Sequence, residues 1–565
     1  MTDSINRPTT TPIARRTVLK ALAGLGIGTA VFQRTIAARA AEQGAVSAEM
    51  IAQAEWITGV TLTEEQRTEV AGAASRSLSA IGALRKVDVG YDVLPAVSFH
   101  PAPNASPAMN VRAGNVQLRE SAAPKLPPTP EDIAFLPVTE LAALIQARKL
   151  TSVELTNIYL QRLKYFDPVL QCVVTLTEDL AMKQAQAADR EIAAGRYRGP
   201  LHGIPWGAKD LIAYPGYKTT WGAGPFKDQV LDEKATVAQR LDDAGAVLLA
   251  KLSLGAMAWG DDWYRGKTRN PWNVKEGSSG SSAGSACAAA AGLVGFTLGS
   301  ETMGSIISPS RRCGTSGLRG TFGRVSRHGC MALAWSMDKI GPICRSVEDC
   351  ALVFGAIHGS DGLDPTAIDR PFAWPPKRDL RTLRVGFVEN GLPENQRGDL
   401  KVLRDLGVTL VRIQLPNEYP AWALTLILNV ESSAMFDPLV RTNNLEGTAA
   451  WPNELREGQY VPAIEYVRAQ RVRTLLMQEM EKVFDRVDCY IGGNDLTITN
   501  LTGHPSVVLP GGFHERKGRR VPFGITFTGN LYDDETLLSV AHAYQQATGH
   551  HLERPPMEDV VPENL

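Results

Sequence analysis

Residues Glu276 to Thr321 read EGSSGSSAGSACAAAAGLVGFTLGSETMGSIISPSRRCGTSGLRGT, a run in which small side chains dominate. Glycine and serine let backbone pass close to backbone or to a ligand. A flexible Gly/Ser linker would share that composition. It would not continue into Ala286 to Leu298, an apolar run with helix formers first and a strand-like end. A buried, serine-lined site accounts for the stretch better. Two serines stand out by context. Ser281 lies in the run SGSSAGS (Ser279 to Ser285), and Ser305 closes GSETMGS (Gly299 to Ser305), 305 − 281 = 24 residues further on.

The bounds around this stretch are those of a soluble globular chain. The 565 residues allow one large domain or a few ordinary ones, and they are 44% hydrophobic and 21% charged. A net charge of −1 implies no charge-driven nucleic acid or membrane partner. The seven cysteines show no CxxC spacing, so neither a zinc site nor a dense disulfide framework is expected. No metal site is expected elsewhere.

Outward toward the N-terminus, Arg15-Arg16 precede a short Gly/Ala-rich apolar run, Ala21 to Phe32, and then Ala38-Arg39-Ala40, a small-x-small cleavage site. Residues 1–40 thus read as an export signal whose arginine pair resembles the twin-arginine motif, implying a periplasmic enzyme. The run is too short for a stable membrane span. Residues 41–95 form a helical extension, because Ile51, Ala54, Ile57, Val70, Ala74 and Leu78 recur at helical spacing. Residues 96–130 are proline-rich and read as an extended linker draped over the surface.

Residues 131–565 form the expected catalytic domain. Thr139 is positioned to cap one helix, and the capping box Thr151-Ser152-Val153-Glu154 opens a second. Asp179 to Ala194 is a third, stopped by Gly195. Strand-like runs follow at 204–209, 247–250, 384–388 and 408–415, separated by helical patterns such as 236–244 and 346–358. This alternation predicts an α/β fold with a sheet covered by helices on both faces.

Three blocks in this order resemble the amidase signature family, serine hydrolases that cleave amides with a Ser-Ser-Lys triad. The family's G-x-P-x-x-x-K-D segment resembles Gly203 to Asp210, its GGSSGGS motif resembles Ser279 to Ser285, and its GSDTGGSIR motif resembles Gly299 to Ile307. The similarity extends through GKTRNPWN (Gly266 to Asn273), DKIGPICRSVED (Asp338 to Asp349) and Asn500 to Pro505. It implies the amidase signature fold with one large central mixed sheet. It implies Ser305 as nucleophile, Ser281 as bridge with a cis peptide bond at that serine, Lys209 as base, and Ser282 as support. It also implies an oxyanion hole of backbone N–H groups from Thr302, Met303, Gly304 and Ser305. The substrate would be a small amide, with no metal or organic cofactor and no nucleic acid; a homo-oligomer is left open.

The chemistry fits these residue types. An amide needs an activated nucleophile, a proton for the departing amine and a place for the oxyanion. Lys209 must be neutral to act as a base, and the apolar neighbours Ile204, Pro205, Trp206, Leu211 and Ile212 suit its burial. Three residues depart from the family pattern: Met303 for a glycine, Ile307 for an arginine, and Arg319 in Arg319-Gly320-Thr321 for the lysine of Lys-Pro-Thr. A methionine would be strained at position 303 if that position needs a positive φ.

Other readings stay in view. Gly280 to Gly284 fits G-x-S-x-G, but the residues before it do not read as the buried strand which that motif needs. Ser336-Met337-Asp338-Lys339 fits S-x-x-K without a partner motif. His202, His328 and His504 lie beside glycines and read as structural. Trp422, Met435, Phe436 and Tyr460 suggest an apolar pocket or, equally, core. The alternatives to an amidase are a non-catalytic binding or scaffold protein on this fold, and the glutaminase-type subunit of a tRNA-dependent amidotransferase.

Overall fold

Apolar runs bounded by glycine and polar residues become the strands of one sheet. The computed structural model describes residues 45–89, 96–97, 116, 124–376, 378–389, 392, 394–493 and 495–561. The main sheet has eleven strands: β1 (Val173–Leu176), β2 (Pro205–Lys209), β3 (Val247–Leu252), β4 (Phe296–Glu301), β5 (Ser316–Arg319), β6 (Lys339–Cys344), β7 (Arg384–Val388), β8 (Thr409–Ile413), β9 (Cys489–Ile491), β10 (Ser506–Arg516) and β11 (Arg519–Gly529). Their order across the sheet is β1-β3-β2-β4-β6-β5-β10-β11-β9-β7-β8. β2 is parallel to both β3 and β4, and β7 is parallel to β8 and β9. The remaining pairings are antiparallel, so the sheet is mixed, as expected.

Every residue of β2, β3 and β4 is buried, which explains why these strands read as continuous runs rather than as alternating ones. Helices cover both faces. Along β6, Ile343 meets Ala286, Ala289 and Ala290 of the helix Ala283–Ala290. Its neighbour Cys344 points the other way, toward Cys350 of the helix Val347–Ile357. Successive strand residues face opposite sides, so these two helices lie on opposite faces of the sheet.

The sequence-derived elements fall close to the observed ones. The helices Ser152–Leu170, Glu178–Ala193 and Thr236–Asp243 form where periodicity placed them, the first with both halves of its capping box made by Thr151 and Glu154. Thr139 does not cap: its helix is Val138–Gln146, with Pro137 at the cap position. The extension forms two helices, Ala48–Thr58 and Glu64–Arg85, divided at Gly59. They join the body of the protein: Val46, Met50, Ile51 and Val70 belong to the same apolar core as the sheet, and Arg85 pairs with Glu465 at 2.6 Å. The expected surface linker lies mainly outside the described residues. Among its described residues, Ala96 donates to the Gln470 carbonyl at 3.2 Å, and Val116 bridges to Trp374 and packs against the core. The arginine pair, the apolar run and the cleavage site at 1–40 lie outside the described residues. All seven cysteines are free. Among the described residues, no helix is long and apolar enough to cross a membrane.

One buried ion pair ties the ends of three strands together. Arg319, at the end of β5, donates from Nη1 to Glu301 Oε1 at 2.6 Å, at the end of β4. Its Nη2 reaches the His504 carbonyl at 2.9 Å and Ser506 Oγ at 2.6 Å, where β10 begins. Glu301 also accepts from the Ile306 and Ile307 N–H groups at 2.8 and 2.9 Å and from Asn500 Nδ2 at 2.8 Å. Both charged side chains are fully buried. Burial alone would raise the Glu301 pKa; Arg319, the Ile307 N–H, Lys339 and Asn500 outweigh it and hold the carboxyl at about 2. A buried charge stripped of its partner costs about 3–5 kcal/mol, whereas an uncharged pair of similar size is often tolerated. Arg319→Ala is therefore expected to lower the urea unfolding midpoint sharply, and the double variant Glu301→Gln/Arg319→Met to recover much of the loss.

Candidate active site

Lys209 is the last residue of β2, and its side chain is fully buried. The parallel neighbour β4 ends beside it at Ser300 and Glu301. The carboxyl ends of parallel strands are where open α/β sheets gather their sites. The Lys209 ammonium position is lined by hydroxyls: Nζ donates to Ser281 Oγ at 2.8 Å, Ser300 Oγ at 2.9 Å and Ser282 Oγ at 3.0 Å, with the Ser300 carbonyl at 3.4 Å. Among the described residues, no carboxylate hydrogen-bonds to it. The adjacent Asp210 points elsewhere, pairing with Lys251 at 2.7 Å and accepting from the Thr220 N–H at 2.8 Å. Burial lowers the Lys209 pKa to about 7, against the opposing pull of Asp338 and Glu301.

The serine loop reaches Lys209 because its glycines allow it. A Cβ on Gly280 would lie 1.8 Å from the Gly260 carbonyl oxygen, so no larger residue fits there without displacing backbone. The Gly280–Ser281 peptide bond is cis. Ser282 occupies the N-cap of the helix Ala283–Ala290, and its hydroxyl donates to the Ser300 carbonyl at 3.1 Å. The loop is joined to the second serine turn by a backbone bond, from the Ser282 N–H to the Ser305 carbonyl at 3.1 Å.

Ser305 sits half-exposed at the start of the helix Ile307–Cys313, and its hydroxyl makes no hydrogen bond to a described residue. The structure thus brings Lys209, Ser281 and Ser282 into direct contact, and links Ser305 to them through backbone. The N–H groups of Thr302, Met303, Gly304 and Ser305 donate to no described residue and remain available. Met303 has an ordinary φ, because Gly304 takes the positive one at +105°. The strain expected of a methionine here does not arise. Ile307 is buried, and its N–H serves Glu301.

Two residues of the site were not legible as such. Ser300 touches Lys209 only because β2 and β4 pair in parallel, which composition does not reveal. Asp338 accepts from Thr302 Oγ1 at 2.6 Å and from the Leu333 and Ala334 N–H groups at 2.7 and 3.0 Å, fixing the start of the serine turn. The other candidates lie apart from the site. Ser336 donates to Glu431 at 2.6 Å and accepts from Arg473, which gives it a structural role. As expected, no buried strand precedes the G-x-S-x-G run: Asn273–Gly277 is a largely unburied strand that pairs with Arg269–Asn270 outside the main sheet. His504 is buried with its pKa lowered to about 3 by burial and by Arg319. His202 accepts from the Arg198 N–H, and His328 lies 3.2 Å from Glu233. Trp422 is exposed, while Met435, Phe436 and Tyr460 pack with the main apolar core, Phe436 against Trp221 and Phe226, which is the core reading. Among the described residues, no cluster of His, Cys, Asp or Glu is placed to hold a metal.

A model of the amidase family, described as "Amidase", matches residues 154–493. A glutamyl-tRNA(Gln) amidotransferase subunit of Chloroflexus aurantiacus is 36% identical over 485 residues, covering 75% of this chain and 99% of that protein. The corresponding protein from Methylococcus capsulatus is 34% identical over 488 residues, covering 74% and 98%. Among solved structures, the native peptide amidase from Stenotrophomonas maltophilia superposes with a TM-score of 0.65 at 30% identity, covering 74% of this chain and 98% of that one. A family match over more than half the chain, on a sheet whose strand ends assemble a buried lysine and two serine turns, makes the chain a member of the amidase signature family, hydrolases of amide C–N bonds.

Proposed function

We propose that the chain hydrolyses a small carboxamide to carboxylate and ammonia or amine through an acyl-enzyme on Ser305. The observation that carries this reading is the buried Lys209 amine, hydrogen-bonded to Ser281 and held near neutrality. A neutral amine has one lone pair and two N–H groups. Its N–H groups suit Ser282 and Ser300, and its lone pair suits the Ser281 hydroxyl. In the mechanism, Ser281 passes its proton to Lys209 and takes one from Ser305, whose oxygen attacks the carbonyl carbon. The hydrogen bond from Ser305 to Ser281 forms when substrate closes the turn, as catalytic hydrogen bonds in empty sites often tighten only in the complex. The oxyanion is received by the free N–H groups of the Thr302–Ser305 turn. The C–N bond then breaks, the leaving nitrogen takes the proton back along the same relay, and water attacking the ester releases the acid.

A second reading is favoured by the relatives named as amidotransferase subunits: the chain supplies the amidase half of such a complex. Co-purification with a partner protein, together with glutamine hydrolysis, would favour it. Export counts against it. We propose, from Arg15-Arg16 and the apolar run that follows, that the enzyme acts in the periplasm. Arg15→Lys/Arg16→Lys should leave the precursor in the cytoplasmic fraction; unchanged periplasmic recovery would refute the signal.

Ser305→Ala is expected to abolish both turnover and capture by a fluorophosphonate label, and Lys209→Ala to cut kcat by roughly 10⁴-fold or more, the scale of a lost triad member. Unchanged amide hydrolysis in either variant refutes the assignment. Because Lys209 must be uncharged, kcat should be at its plateau in mildly alkaline buffer and fall tenfold per pH unit as the pH drops below about 7. A flat profile between pH 8 and pH 5 would remove Lys209 as the base.

A further inference from the structure

A cavity of about 330 Å³ opens against the serine turn. Ser300 and Thr302 form part of its wall, so it adjoins both the hydroxyl that touches Lys209 and the start of the turn whose N–H groups are free. Asp338 joins the two: it lines the cavity and holds Thr302 by a 2.6 Å hydrogen bond. The rest of the wall is mainly apolar, with Leu211, Ala258, Met331 and Leu333 inside and the exposed Trp335 and Leu363 at the mouth.

The charged groups that face this cavity are already engaged. Arg327 donates to Asp364 through Nε at 2.9 Å and Nη2 at 3.2 Å, to the Trp335 carbonyl at 2.6 Å and to Thr366 at 2.8 Å. Asp338 accepts three hydrogen bonds from the protein. The imidazole of His328 is directed to Glu233 at 3.2 Å. The α-carboxylate of a γ-glutamyl ligand would lose its water here, face the Asp338 carboxyl and find the cation Arg327 already bound to Asp364. An apolar group would lose nothing and bury its surface.

Resting on the amidase reading above, we propose that this cavity receives the acyl group of the substrate and selects apolar, uncharged acyl chains, aryl or branched aliphatic, over charged ones such as γ-glutamyl. In this proposal an acyl carbon bonded to Ser305, with its oxygen on the turn's N–H groups, carries its substituent toward the wall that Thr302, three residues earlier in the turn, forms. The substrate class is then that of simple aliphatic and aromatic carboxamides, and glutamine is a poor donor.

The test uses a series of 4-nitroanilides that share one leaving group. Benzoyl and isobutyryl anilides should exceed acetyl and γ-glutamyl anilides in kcat/KM by at least about tenfold, the scale set by a few methylenes in an apolar pocket. Ala332→Phe, which intrudes from the half-exposed rim, should lower the benzoyl-to-acetyl ratio by about tenfold. If that variant fails to fold, Leu363→Glu at the exposed mouth should lower the same ratio. A γ-glutamyl rate equal to the benzoyl rate, or a ratio unmoved by the variant that folds, would overturn the proposal. If no anilide turns over, the rate of Ser305 capture by an apolar-chain and by a carboxylate-tailed fluorophosphonate replaces the readout. Faster apolar capture supports the cavity assignment, equal rates refute it while leaving Ser305 as nucleophile, and no capture by either refutes both.

Discussion

A primary amine in the interior, hydrogen-bonded by hydroxyls and by no described carboxylate, is the constraint on which this site depends. Two buried lysines lie on neighbouring parallel strands, and they have opposite fates. Lys251 is paired with Asp210 at 2.7 Å, while Lys209, next in sequence to that same aspartate, is surrounded by serines. The pleat explains the division, since adjacent strand residues point to opposite sides. Hydroxyls can hydrogen-bond an amine in either protonation state, but they do not offset the cost of burying its charge as a carboxylate would. A pKa of about 7 follows from that asymmetry.

The small residues make this arrangement physically possible. Lys209 is met by three serines, two from one loop and one from a strand end, a density that branched side chains would exclude. Gly280 passes the Gly260 carbonyl with no room for a methyl group, and a Cβ on Gly299 would lie 2.7 Å from Ser282 Oγ. Behind the serine turn, Glu301 collects two backbone N–H groups, an amide and Arg319, so the turn is anchored from below while its own N–H groups stay free. Two of the departures from the family pattern fall within this anchor: Arg319 supplies its cation, and Ile307 contributes an N–H while its side chain fills the core.

Much of this was legible in the chain. The parallel strands announce themselves as unbroken apolar runs, and Thr151 with Glu154 encodes a helix start that forms as written. The Ser281–Ser305 register and the segment ending in Lys209 point to the site. What stayed hidden is long-range. Ser300 becomes a contact of Lys209 through strand pairing, and Asp338 reaches the serine turn from 36 residues away in sequence. Trp422, grouped by type with Phe436 and Tyr460 in the sequence, stands exposed while those two pack with the core, because an aromatic side chain carries no address of its own. Thr139 failed as a cap because the helix already starts at Val138, from Pro137 in an extended conformation with ψ 158°.

Gly304 absorbs the unusual torsion of the serine turn, which leaves the preceding position free to carry a long side chain. Met303 uses that freedom to enter an apolar cluster with Ala80, Ile81 and Leu84 of the second N-terminal helix and with Leu476 and Leu501 of the body. The serine turn and the amino-terminal helices thus share a hydrophobic seam. Loosening those helices would strip packing from Met303, the residue just before the glycine that bends the turn.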